Sequence, residues 1–486
     1  MGSILTLFLS EREIEILIGS ISVSAGVALV VSLFASTYGL YALLNKGRFS
    51  TIFQKVLLIP LFIPPYFHAL SIISLFQWIS YNHWVSWISL STVSAFRSEF
   101  GLLFVLSIAY IPLACLLMQN LSENIDRKGI LTALTHQGFM AVVRKIILPQ
   151  LMPSVYAVFG IVFTLSFISF DVASLLEVPV YATEIFSVIS SQYNLTRAVQ
   201  LSLIPFGIAV VTGFFVSKAY LFASRQNETP FDGHMYAPRT FNFFAVGLLV
   251  VYGFVSVVVP LTTMFVGVIA SFPSDYLFVL QSDWLPPMVS TLKLCFYGGL
   301  LSITISWMMR DVWKTYPAVR LVLLSSLLVS PTLLGITIIY VIQWTFLTDI
   351  QLGIAPLVVA YSLRTIPITS ELLHITREKI PRDVFASIEL IPGITRTKRF
   401  VWEFLLMVPT LIIMVYASFW IIATEIPLTI LLQPPGFQTI MARIFILLHY
   451  GSLPYMNIMM LATIATLIAP LIGIVFLRRR LTKIHH

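Results

Sequence analysis

The chain has 486 residues, of which 58% are hydrophobic and only 10% charged, and its formal net charge is +8. A soluble domain carries about 25% charged residues, so a mean hydropathy of +0.94 excludes a surface that faces water throughout. The basic excess calls for no nucleic acid, because the lysines and arginines of membrane proteins collect in cytoplasmic loops.

Apolar runs of the roughly 20 residues needed to cross a hydrocarbon core recur from end to end. Eleven spans are predicted, at about 14–43, 54–79, 100–120, 153–177, 199–222, 241–270, 286–309, 319–346, 352–371, 406–430 and 455–477. Barrel strands are shorter and alternate apolar with polar residues, whereas these runs are apolar all round. The expected class is therefore an all-α polytopic membrane protein of about 11 helices, within a range of 10–12. Cys115 and Cys295 both lie in apolar runs, with no disulfide framework or metal spacing, and no metal or other cofactor is expected. The opening MGSILT fits a myristoylation pattern, which the topology disfavours by placing the N-terminus outside. No cleavable signal peptide is evident.

All but five of the 29 lysines and arginines fall in one set of alternate loops and the C-terminal tail. By the positive-inside rule these are cytoplasmic, as are the two longest gaps, at about 121–152 and 372–405. The C-terminus is then cytoplasmic and the N-terminus outside. The five exceptions are Arg12, Arg97, Arg197, Lys293 and Arg443.

The chain repeats itself. Each long gap carries a glycine (Gly138, Gly393) and a basic patch (Arg144-Lys145, Arg396 to Arg399), and a hydrophobic turn and a proline (Pro153, Pro409) follow. An apolar run then ends at an acid, Asp171 or Glu425. A Pro-containing loop, Ile-Phe, and Gln192-Tyr193-Asn194 or His449-Tyr450-Gly451 follow. Earlier in each half, IPPYFHALSII answers SPTLLGITIIY. Spans 1–5 match spans 7–11 with span 6 as the joint, giving halves at 1–235 and 236–486. The offset of six spans is even, so the repeat is parallel, with a pseudo-two-fold axis along the membrane normal.

The two gaps resemble the Glu-Ala-Ala (EAA) loop of binding-protein-dependent ABC importer permeases. In the first half the match is Thr132-Ala133-Leu134, Gly138 and Ile146-Ile147-Leu148-Pro149, with Thr132 in place of the Glu and the later spacing two residues short. In the second it is Ser387-Ile388-Glu389, Gly393 and the run into Leu405-Leu406. The stretch from Glu425 through Pro434-Pro435-Gly436 to Arg443-Ile444-Phe445 is similar to the second half of fused iron(III)-type permeases. So are Arg364-Thr365-Ile366-Pro367, Lys379-Ile380-Pro381, Phe170-Asp171 and Thr183-Glu184-Ile185-Phe186. That family has one more N-terminal helix than residues 1–13 supply.

The resemblance implies a type I ABC importer permease fold in a bacterial inner membrane. It implies two copies of a cytoplasmic ATPase, one on each loop, and a periplasmic or lipid-anchored substrate-binding protein outside. Independently, no G-x-x-x-x-G-K-[ST] phosphate loop occurs in the chain, so the chain is expected to be no enzyme itself and to have no catalytic residues. Thr132, Ala133, Gly138, Pro149, Ser387, Gly393 and Leu406 are the expected ATPase-coupling positions. The alternative for either loop is a basic segment held by lipid headgroups.

Asp171, Glu425, His68 and Arg443 are the candidates for the substrate path. If a helix begins near Pro409, Glu425 lies about 24 Å along it at 1.5 Å per residue, in the outer part of the core. A carboxylate there is costly unless it meets a partner or a water-filled cavity. Two such acids suit a cation: ferric ion, a cationic chelate, a polyamine or thiamine. They also fit solvated or capping positions at helix ends. Arg443 either pairs with Glu425 or contacts the docked binding protein. Arg364 pairs with Glu371 or, as the favoured reading, snorkels. Pro64, Pro65 and Pro331 are expected to break spans 2 and 8.

Overall fold

The computed structural model describes residues 9–45, 55–57, 59–81, 90–122, 125, 127–224, 237–269, 284–344, 353–381, 383–384, 387, 395–448 and 453–484. Among them the secondary structure is helical, with no strand. The chain forms two compact units, Met1–Ala270 and Ser271–His486.

In the first unit α1 spans Glu11–Leu44. Its start is fixed locally by a capping box. Ser10 Oγ accepts from the Glu13 amide at 3.3 Å while the Glu13 carboxylate accepts from the Ser10 amide at 2.7 Å. A 3₁₀ turn, Ile59–Phe62, leads to α2, Pro65–Tyr81. Then come α3 (Leu90–Phe96), α4 (Glu99–Ser122) and α5 (Arg127–His136). The long α6 runs Phe139–Phe167. It is followed by α7 (Asp171–Leu175), α8 (Tyr181–Ser190), α9 (Leu195–Ser224) and α10 (Arg239–Ile269). Helix α1 packs against α4 and α6, and these pack on each other. The approach of α1 to α4 is close because α1 offers glycines. A Cβ at Gly26 would lie 2.7 Å from Leu103 and one at Gly39 2.6 Å from Met118, the small-residue packing that membrane helices use.

The second unit begins with α11 (Leu285–Met308), α12 (Arg310–Thr315) and α13 (Pro317–Ser326). It continues with α14 (Pro331–Trp344), α15 (Ala355–Lys379) and α16 (Arg396–Thr424). It closes with α17 (Pro427–Leu432), α18 (Ile440–Leu447) and α19 (Leu453–Ile484). Its packing pairs repeat those of the first unit. Helix α11 packs on α15 and α16 as α1 does on α4 and α6. The short α17 packs on α14 and α15 as α7 does on α2 and α4. Helix α18 packs on α11 and α19 as α8 does on α1 and α9. Gly298 plays the glycine role here, its side facing Ile422 and Tyr361. Between α11 and α15, buried hydroxyls do the joining: Thr369 meets Ser302 at 2.9 Å and Ser306 at 2.7 Å, and Ser370 meets Ser306 at 2.9 Å.

Among the described residues eight helices are long and apolar enough to cross a membrane, and they fall on eight of the eleven expected spans. The chain is thus a multi-pass membrane protein by its helices. Of the other three spans, the second is bent by 85° between Lys55–Phe62 and Pro65–Ser80. The eighth is divided into α13 and α14 just before Pro331. The ninth, α15, carries charges along its length. The helix read as the joint, α10, packs within the first unit against α1 and α2.

The fourth span begins earlier and ends earlier than expected. Helix α6 starts at Phe139, passes through Pro149 and Pro153, and stops at Phe167. Proline lacks an amide hydrogen and crowds the carbonyl four residues before it. Helix α6 absorbs Pro149 with a π turn at Val143–Ile147, and α10 absorbs Pro260 with another at Phe254–Val258; such wider turns give the backbone the needed slack. Helix α16 likewise starts at Arg396, well before Pro409. Neither proline therefore marks where its helix begins.

Candidate functional site

Two places in each unit carry chemistry: the acid after the long helix and the loop before it. In the first unit the backbone leaves the helix at Ile168, and Asp171 opens the short α7. The acid is thus separated from α6 by three residues, a correction to the expected helix running up to it. Ser169 Oγ donates to Asp171 Oδ1 at 3.0 Å. The backbone amides of Asp171 and Val172 also serve its carboxylate, and the fully buried Tyr66 of α2 lies in the neighbourhood. Among the described residues no Lys, Arg or His forms an ion pair with Asp171.

In the second unit Glu425 follows α16 directly and lies 3.1 Å from Arg364 Nε. Both side chains are largely buried, at 14% and 11% exposure. Arg364 Nη1 also donates to the Val329 carbonyl at 3.2 Å, in the break between α13 and α14. Near Arg364 on α15, the Tyr361 hydroxyl meets Thr429 of α17 at 2.6 Å, fully buried. Arg364 thus ties α15, the α13–α14 break and the end of α16 together.

This overturns the favoured snorkelling of Arg364 and its alternative pairing with Glu371. Residues seven apart on a helix stand about 10 Å apart along its axis, too far for the local pairing that holds at three or four. Glu371 instead takes Arg320 of α13, Nε to Oε2 at 2.8 Å. Arg443, on α18, does not pair with Glu425; its Nε is buried without a hydrogen-bond partner among the described residues. His68 is completely buried beside the Pro60 carbonyl. It stands two residues from Tyr66 on α2, and such residues point to different faces of that helix.

Three of the five arginines and lysines expected outside the cytoplasmic loops pair with carboxylates in the first unit. Arg12 pairs with Glu184 at 3.4 Å, Arg97 with Glu177 at 2.7 Å, and Arg197 with the buried Glu13 at 2.5 Å. Each of these three positive charges is matched by a carboxylate.

A further pair of residues was not legible in advance. Ser20 Oγ on α1 accepts from the Tyr181 amide, the first residue of α8, at 2.7 Å. Thr291 Oγ1 on α11 accepts from the Ile440 amide, the first residue of α18, at 2.9 Å. Both hydroxyls donate to the carbonyl four residues back, Ile16 at 2.7 Å and Pro287 at 2.8 Å. Each unit thus fastens its post-acid helix to its first helix in the same way. The signal was present as a hydroxyl in an otherwise apolar first helix of each half.

The first loop is α5, an extended Gly138, then α6. Ile130 and Val142 are buried, whereas Thr132, Gly138 and Pro149 are exposed and Ala133 half-buried. A side chain at Gly138 would meet nothing within 4 Å. Pro149 lies inside α6, and Leu406, 37% exposed, lies inside α16 rather than in a loop. Ser387 is exposed. Gly393, His449, Tyr450 and Gly451 lie outside the described residues. No protein-family model, no curated protein and no solved structure matches the chain.

Proposed function

We propose that the chain is the permease subunit of an ATP-driven ABC importer of type I fold, with both transmembrane halves in one polypeptide. A separate ATPase would dock in two copies on the cytoplasmic loops around Thr132-Gly138 and Ser387-Gly393, and a binding protein would deliver cargo outside. The single observation that carries this reading is the duplicated order of elements with the same packing partners. Each copy has a Lys- and Arg-bearing loop before its long helix and an acid after it. A motor acting on a loop continuous with α6 or α16 would tilt that helix and move the acid at its far end. Lacking a phosphate loop of its own, the chain would draw ATP-driven work from a partner.

Iron(III) is the leading cargo, with thiamine, a polyamine and an aminoalkylphosphonate as the other candidates. Glu425 is neutralised by Arg364, so a cationic cargo would be drawn to Asp171. A carboxylate with no cation beside it also supports a second reading, an ion-gradient-driven carrier with Asp171 as its proton or cation site.

Proteoliposomes decide between them. The genes beside this one name the ATPase and binding protein to add. Uptake of labelled ferric ion that requires both, and ATP, is the expected result. Uptake by the chain alone that collapses with an uncoupler would replace the importer with a secondary carrier.

A further inference from the structure

One nitrogen with two exclusive partners stands where α13 meets α15. His374 Nε2 lies 2.9 Å from Arg320 Nη1 and 3.2 Å from Glu378 Oε1. A guanidinium only donates and a carboxylate only accepts. Nε2 therefore serves Arg320 as a bare lone pair and Glu378 as an N–H, and never both at once. We propose that His374 is a proton-operated handover. The neutral ring, with its hydrogen on Nδ1, holds Arg320 of α13; the imidazolium releases Arg320 and closes on Glu378.

The surroundings suit such a device. Arg320 stays anchored by Glu371 in either state, so the joint is adjusted rather than lost. A small cavity lined by Arg320, Leu323, Leu324, Pro367, Ser370, Glu371 and His374 adjoins the ring. Imidazole is the side chain whose charge ordinarily changes between pH 5 and 8.

The charges facing this end of α15 come from several elements. From α13 there is Arg320; from α12, Arg310 and Asp311; from α16, Glu403. On α15 itself are Glu371, Arg377, Glu378 and, as its last residue, Lys379. Arg377 is engaged with Asp311 at 2.8 Å, and Arg310 lies 3.7 Å from both Asp311 and Glu403. These contacts leave Glu378 as the carboxylate opposite Nε2. Among the described residues, α11, α14 and α17 bring no charged side chain to this end.

The consequence is mechanical. Glu378 is the penultimate residue of α15. Protonation ties the last turn of α15 to itself through residues four apart and removes one of the contacts from α13. The device works whatever the chain carries.

The test is a pH titration of the full chain in detergent, labelled with ¹⁵N-histidine. The chain has eight histidines, and the His374→Gln spectrum identifies the signals of His374; His374→Asn serves if the Gln variant is not recovered from membranes. The expected result is an unprotonated Nε2 at high pH that gains its hydrogen in one transition as the pH falls. In Glu378→Gln the imidazolium loses its carboxylate, so the midpoint moves to lower pH by about half a unit, the size an exposed ion pair confers. An Nε2 that carries hydrogen across the whole range overturns the handover from Arg320. A midpoint unchanged in Glu378→Gln overturns the handover to Glu378.

Discussion

Asp171 and Glu425 occupy the same slot in the order of elements, between the long helix and the short helix of their units, and they are held in opposite ways. Glu425 has a cation inside the protein, Arg364 at 3.1 Å. Asp171 has a serine hydroxyl at 3.0 Å, a tyrosine and the first turn of α7. An acid in an apolar chain is tolerable either when a fixed counter-charge closes the account or when dipoles cradle it. The first solution closes the acid within a pair, and the second leaves it to neutral dipoles. The difference teaches that a duplicated scaffold can keep an acid in each copy while only one copy keeps it available.

The comparison breaks most visibly at Arg364. Replacing it with Met leaves the largely buried Glu425 without its cation, which costs about 3–5 kcal/mol when one partner of a buried pair is removed. A large fall in the thermal unfolding midpoint in detergent is expected. The double variant Arg364→Met with Glu425→Leu should recover most of that loss, because a buried ion pair replaced by apolar groups is close to neutral. A double variant as unstable as the single would mean that the pair is not the cause.

The next effect tests likeness rather than difference. Ser20→Ala and Thr291→Val each strand a backbone amide, of Tyr181 and of Ile440, in a buried place. Each should cost about 1–3 kcal/mol, and by similar amounts, since the two hydroxyls make the same pair of contacts. Unequal losses, read from denaturation midpoints of the two variants, would show that the units are fastened differently despite their shared order.

These contacts mark the limit of what the sequence discloses. The multi-pass character, the repeated order and the two acids are visible in it because they depend on composition along the chain. The ends of α6 and α16 are not, because a helix apolar on every side has no periodic face to mark where it starts. Thr395, whose hydroxyl accepts from the Lys398 amide at 3.3 Å, was a readable start signal for α16 that the proline at 409 obscured. Arg364 was misread for a different reason. Its partner is 61 positions away in sequence, and nothing local distinguishes a snorkelling arginine from one held by a distant acid. Ser20 and Thr291 were hidden in the same manner, each 161 or 149 residues from the amide it serves.

A smaller effect on stability, with a larger one on transport, belongs to Asp171. Asn in its place keeps an oxygen for Ser169 and breaks no ion pair, so the loss should stay within about 1 kcal/mol. Under the importer reading, neutralising Asp171 and Glu425 together should impair uptake of a cation more than of an anion. Undiminished cation uptake in proteoliposomes holding the double variant would return both acids to simple helix-end roles.

The smallest structural effect is expected at Gly138. Its backbone is in an extended conformation open to any residue, at φ −63° and ψ 148°, and a side chain there would meet nothing within 4 Å. Leucine at this position should leave the unfolding midpoint within the roughly 0.5 kcal/mol typical of surface changes. If the loop seats an ATPase, the same substitution fills the space that the partner needs, and ATPase stimulation by the reconstituted chain should fall sharply. A Gly393→Leu variant carries the test to the other loop. Stimulation unchanged in both, with both chains stably folded, would leave these loops as basic segments lying against lipid headgroups and would remove the docking surface from the proposed importer.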